Sequence, residues 1–127
     1  MGLLFLQLLN HIERMETNSG NSGQKLMLDV LGYIEEHYRD GELNQLAELL
    51  NYDVYWLSKE IKKLTGRNYI ELVQEKRLSQ AAYLLDNTNM SVMNVGLSVG
   101  YDNMSYFHRI FQKAFGMTPR KYRVRCR

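Results

Sequence analysis

Two stretches of this sequence carry side chains whose types and spacing suit hydrogen bonding to a flat, edge-on ligand. In one, Tyr55, Ser58, Lys59 and Lys62 recur at intervals of three and four residues; in the other, Met104, Ser105, His108, Arg109 and Gln112 do the same. On a helix those intervals gather side chains on one face. Each face then offers a cation (Lys59, Arg109), a hydroxyl that donates or accepts (Ser58, Ser105) and an apolar contact (Tyr55, Met104), with an imidazole (His108) on the second. Such a set can read base edges in a major groove. Arg109 can grip guanine O6 and N7 through two hydrogen bonds, Lys59 offers a looser version, and Tyr55 and Met104 can press on methyl groups or sugars. Lys62, Lys63, Arg67, Gln112, Lys113, Arg120 and Lys121 fall where phosphates would run, adding affinity without sequence choice. Taken singly, each residue has a plainer reading. His108 suits a solvent-facing histidine, Lys62 and Lys63 a solvated pair, and Trp56 a brace for its own helix. Enzyme chemistry is a distant reading. The chain offers no nucleophile–base pair, metal-ligand set or phosphate-cradling loop, so neither cofactor nor metal is expected.

Helices must hold these faces. Val54–Thr65 would bury Leu57, Ile61 and Leu64, with Asp53 as N-cap and Gly66 as the left-handed stop. Met104–Phe115 would bury Phe107, Phe111 and Phe115, capped by Asp102 or Asn103 and stopped by Gly116. A short helix precedes each one: Leu43–Leu50, with Leu43, Leu46, Ala47 and Leu50 inward, and VMNVGLSV after Ser91, with Val92, Val95 and Val99 inward. Asn51-Tyr52 turns the first pair and Gly100 the second. The pairs repeat. Leu43, Leu46, Ala47, Leu50 and Tyr52 match Val92, Val95, Gly96, Val99 and Tyr101 at an offset of 49 residues, and Leu57, Lys59, Ile61, Lys63 and Gly66 match Phe107, Arg109, Phe111, Lys113 and Gly116 at an offset of 50. Matched turn, cap, cation and stop residues are harder to obtain by chance than matched apolar ones.

Between the pairs lies Tyr69–Asp86, a helix free of Gly and Pro and about 27 Å long. Ile70, Val73, Arg77, Ala81 and Leu84 form its stripe, widened by Leu78, Ala82 and Leu85. It reads as a strut between two helix-turn-helix units. Lys25–Arg39 makes a further helix burying Met27, Val30, Leu31, Ile34 and Tyr38. Thr118-Pro119 opens a last one, with Tyr122 and Val124 inward and Arg120, Lys121, Arg123, Arg125 and Arg127 in water. At the other end, Leu3–Met15 is an amphipathic helix candidate and Thr17–Gln24 a Gly/Ser-rich linker. An apolar helix ahead of a linker fits either the remnant of a preceding domain or a docked or dimerising terminal helix.

With 45% hydrophobic residues and one proline in 127, the chain can build a core without staples. Its one cysteine, Cys126, cannot form an internal disulfide, which fits a reducing, intracellular setting. MGLLFLQLL is too short to span a bilayer and lacks the flanks of a signal peptide, so no membrane partner is expected. Charge is uneven. Residues 1–53 carry three Lys/Arg against nine Asp/Glu, a net −6, and residues 54–127 carry 13 against five, a net +8, making the overall +2. A basic block of this kind favours a polyanionic partner.

VGLSVGYDNMSYFHRIFQKAFGMTPRKY, from Val95 to Tyr122, resembles the second helix-turn-helix signature of the AraC/XylS family of bacterial transcription regulators. LAELL with WLSKEIKKLTG in the first unit, and Arg77-Leu78, Ala81 and Leu84-Leu85 in the strut, are similar to it too. The resemblance covers residues 25–123. It implies an all-α, seven-helix domain of two helix-turn-helix units, spanning residues 25–127, with Val54–Thr65 and Met104–Phe115 as the reading helices. It implies that Tyr55, Ser58, Lys59, Met104, Ser105, His108 and Arg109 face bases of double-stranded DNA. It further implies a bacterial cytoplasmic regulator, joined to a sensor or dimerisation domain of which residues 1–16 are the end and 17–24 the linker, with RNA polymerase as a further partner. Gly96 stands where the family usually has Ala, which should loosen that short helix by about 1 kcal/mol. Glu42 replaces the usual Ser-type cap. The rival readings are a protein-interaction module with a basic face and a non-specific nucleic-acid binder.

Overall fold

The computed structural model describes residues 22–125, and the expected Leu3–Met15 helix and most of the linker lie outside them. The described residues form seven helices and no strand. They are α1 (22–37), α2 (Leu43–Leu50), α3 (Val54–Thr65), α4 (Tyr69–Asn87), α5 (Val92–Ser98), α6 (Met104–Phe115) and α7 (Pro119–Val124). No helix among them is long and apolar enough to cross a membrane.

Local chemistry sets the boundaries. Asp53 accepts from the backbone N–H groups of Tyr55 and Trp56, both at 3.0 Å, and Asn103 accepts from Tyr106 at 2.9 Å. Ser91 and Thr118 cap α5 and α7 in the same way. α3 and α6 both end on a left-handed glycine, Gly66 at φ 76° and Gly116 at φ 75°. The two turns also match. Asn51 and Gly100 both take positive φ, and Tyr52 and Tyr101 each return a backbone N–H to a carbonyl five residues earlier, Ala47 and Gly96, both at 2.9 Å. The numerical repeat in the sequence is therefore a structural one.

There are two cores, and α4 runs through both. Leu26, Met27, Val30, Leu31 and Ile34 of α1 pack with Leu46, Leu57, Ile61 and Leu64 around Tyr69, Leu72 and Val73 of α4. Leu78, Ala81, Ala82 and Leu85 from the later turns of α4 pack with Val95, Val99, Phe107, Phe111 and Tyr122. Fully burying a side chain of this size contributes about 1.5–3 kcal/mol, so each half of α4 is held by its own unit.

Three sequence expectations change. First, α1 starts by residue 22 and ends at residue 37, with a turn at residues 38–40, so it is shifted back from Lys25–Arg39. Leu26 joins the buried stripe, which needs a helical turn ahead of it, and the chain leaves the helix where Gly41 meets α4 through Tyr69 Oη, at 3.1 Å from the Gly41 carbonyl. Second, Ile70 is 67% exposed. Tyr69 and Leu72 take the inward places, because the Tyr69 hydroxyl bond fixes the rotation of the first turn of α4. Third, Val124 is exposed and the last arginines are not all in water. Arg123 donates to the carbonyls of Leu85 and Thr88 at 3.1 and 3.3 Å, and Arg125 pairs with Asp86 at 2.9 Å. These cations neutralise the carbonyl-rich end of α4. The Arg125 hydrogen bond holds the Asp86 carboxyl below the usual range.

Candidate nucleic-acid interface

α3 is fixed by Leu57, Ile61 and Leu64, so its opposite side is turned out. Tyr55 is 77% exposed, Lys59, Lys62 and Lys63 are exposed, and Ser58 is half-buried. α6 is fixed by Phe107 and Phe111, with Phe115 half-buried, and leaves Ser105, His108, Arg109, Gln112 and Lys113 exposed. Arg120 and Lys121 are exposed on α7. Trp56, 45% exposed, lies against Tyr52 with ring centroids 4.8 Å apart, so it braces the first turn of α3.

The exposed groups of α6 are oriented by bonds. Arg109 lies over the ring of Tyr106, 5.4 Å from its centroid, and the Tyr106 hydroxyl accepts from Gln74 of α4 at 2.8 Å. A guanidinium stacked on a tethered ring spends less time in unproductive rotamers. His108 Nδ1 lies 2.8 Å from the Met104 carbonyl. Nδ1 donates to that oxygen, which leaves Nε2 as the ring's outward nitrogen.

Met104, expected to face bases, is partly drawn inward. A Cβ on Gly96 would lie 2.8 Å from Met104 Cε and 3.2 Å from Sδ, so the thioether rests in the notch this glycine leaves. Met104 is half-buried against the second core. The cause is the missing methyl on α5, so Gly96 and Met104 are one packing feature. Arg67 departs from its expected place as well. It pairs with the carboxylate of Glu75, which is 8% exposed on α4, rather than standing free for a phosphate. A buried carboxylate needs its cation, and Arg67 is the side chain that supplies it.

α3 and α6 border one concavity, α6 through Tyr106. A groove of about 770 Å³ lies over α4, with Ser58 of α3 on one side and Asp102 and Tyr106 on the other; Ile70, Gln74 and Arg77 line it from α4. Sequence reasoning did not assign Gln74 or Tyr106 to the support of the α6 face, nor Arg77 to any role beyond its helix stripe. The available signal was Arg77, a cation on the apolar stripe of a helix. Burial raises the Tyr101 hydroxyl to about 12 against the opposing effect of the Arg77 charge.

The profile of the family described as "Helix-turn-helix domain" matches residues 46–125. Among curated proteins, the MmsAB operon regulatory protein of Pseudomonas aeruginosa is 38% identical over 80% of this chain, which spans 34% of that protein. Regulatory protein SoxS of Escherichia coli is 29% identical over 82% of this chain, and there the chain spans 98% of the relative. Among solved structures, the C-terminal domain of AraT, a response regulator from Geobacillus stearothermophilus, superposes with a TM-score of 0.73 at 36% identity, covering 80% of this chain and 85% of that one.

Proposed function

The chain belongs to the AraC/XylS family as the sequence-specific DNA-binding module of a transcription regulator, and from that premise we propose that α3 and α6 enter two successive major grooves on one side of a duplex. One observation carries this reading: Ser58 of α3 and Tyr106 of α6 line the same groove over α4, so the two helices flank one face of the molecule. Tyr55, Ser58 and Lys59 read bases in one groove, and Ser105, His108 and Arg109 read them in the other. Lys62, Lys63, Gln112, Lys113, Arg120 and Lys121 lie along the flanking phosphates. Met104 packs beneath the reading face, and Arg67 stays with Glu75. The acidic carboxyls that border the groove, Glu42 and Asp102, leave phosphate contacts to the outer flanks. We further propose that the module works in the bacterial cytoplasm, joined to a sensor or dimerisation domain. The greater length of the MmsAB operon regulatory protein and the apolar Leu3–Met15 stretch support that arrangement.

Guanine-N7 methylation interference on a duplex selected from random sequence tests the docking. Two clusters of interference are expected on one face, about 34 Å apart. A single cluster, or two on opposite faces, overturns the two-groove reading.

A further inference from the structure

Arg77 sits midway along α4, between the turns that serve the first core and those that serve the second. Its guanidinium meets both units. Nε donates to the Tyr38 carbonyl at 2.6 Å and Nη2 to the Arg39 carbonyl at 3.0 Å. These carbonyls lie just past the last turn of α1, where a helix leaves acceptors unsatisfied and a cation is favoured. The same guanidinium lies 5.2 Å from the ring centroid of Tyr101, in the turn between α5 and α6. Gly100 completes the junction. At φ 108°, a Cβ on it would lie 2.7 Å from the Arg39 carbonyl oxygen and 3.2 Å from Arg77 Cζ. A bare backbone at this position lets the turn of the second unit rest on the end of the first unit's α1.

We propose that Arg77 is a positioning residue for DNA recognition, setting the distance and angle between α3 and α6 by tying the end of α1 to the turn that launches α6. The proposal rests on the two-groove reading. A single helix between two cores leaves twist and bend about its axis only softly restrained. The Arg77 junction is a second tether away from that axis, and two tethers fix an orientation that one does not. Once one reading helix is docked, the other then meets its groove as an intramolecular event at a high effective concentration, provided the spacing is right. Without the junction, α6 samples more orientations. Binding to the best spacing weakens, and wrong spacings are tolerated better.

The test measures affinity for four duplexes: the preferred two-part site, the same site with one base pair inserted between the halves, and each half embedded in random sequence. The wild-type chain should lose about tenfold or more on the insertion. Arg77→Met keeps the apolar stem and removes the donors. It should bring the insertion penalty down to about threefold or less while each half alone changes by less than about twofold. Arg77→Lys keeps the charge without the fork that spans two carbonyls, and should fall between. If Arg77→Met does not give the wild-type circular dichroism and unfolding transition, Arg77→Lys carries the test, with an insertion penalty below the wild type's and each half alone changed by less than about twofold. An unchanged insertion penalty, or loss of the single halves in step with the whole site, overturns the positioning role. A wild-type chain indifferent to the insertion overturns the two-groove reading instead.

Discussion

Arg109 is more than an exposed cation on a helix. Its guanidinium lies over Tyr106, and the hydroxyl of that ring is held by Gln74 from another helix. A bidentate contact to guanine is worth about 1–3 kcal/mol of discrimination against a wrong base, and a pre-oriented fork keeps more of it. Arg109→Ala is therefore expected to relax base choice at one position. Lys62, exposed in the last turn of α3, offers a point charge suited to a phosphate, so Lys62→Ala should weaken all sequences alike. Binding selections on the two variants check this, and an equal loss on preferred and random DNA for Arg109→Ala removes the assignment. The outward direction of Arg109 could be read from spacing alone because the phenylalanines behind it fix which way the helix faces. That of Met104 could not, although it obeys the same spacing. Its direction depends on a methyl group absent from Gly96, on a different helix.

The caps, turns and stops of the two units were legible because each is a short-range contract between neighbouring residues. Asp53 bonds to residues two and three positions on, and Gly66 and Gly116 take a backbone conformation that favours glycine. The facing of α4 was less legible. A stripe starting at Ile70 and one starting at Tyr69 differ by one residue, and the choice is made by Gly41, far away in the chain. The junction of α5 and α6 shows how such long-range contacts change the energetics of an element. Gly in a helix costs about 1 kcal/mol relative to Ala, yet Gly96→Ala should bring only part of that gain, since the flexible end of Met104, 2.8 Å from the new methyl, must swing away and the Phe107 ring, at 3.0 Å, must give. In a Met104→Ala background the thioether is gone and the Phe107 ring can ease into its place. There Gly96→Ala should stabilise by up to about 1 kcal/mol. Urea unfolding of the wild type, both single variants and the double variant measures the coupling. Additive effects would show that Gly96 and Met104 do not share one packing site.

Over the whole molecule, formal charge overstates what a polyanion can use. The later part of the chain is strongly basic in sequence, but folding commits several of its cations. Arg67 serves Glu75, Arg77 serves the end of α1, and Arg123 and Arg125 serve the end of α4. Besides Lys59 and Arg109, which face bases in the proposed contact, the exposed cations left near it are Lys62, Lys63, Lys113, Arg120 and Lys121. If these five neutralise phosphates, the logarithm of the binding constant should fall with the logarithm of salt at a slope of about −4.5. Adding Arg67 would steepen the slope to about −5.4. Lys113→Ala should make it shallower by about 0.9, whereas Arg67→Ala should leave it unchanged. Arg67→Ala should instead lower folding stability by about 1–3 kcal/mol, because the Glu75 carboxylate is left buried without its cation. Titrating both variants across a range of salt, beside their urea unfolding curves, separates the two roles. A slope for Arg67→Ala shallower by about 0.9 would mean that this arginine leaves Glu75 for a phosphate on binding, and that folding and recognition compete for the same cation.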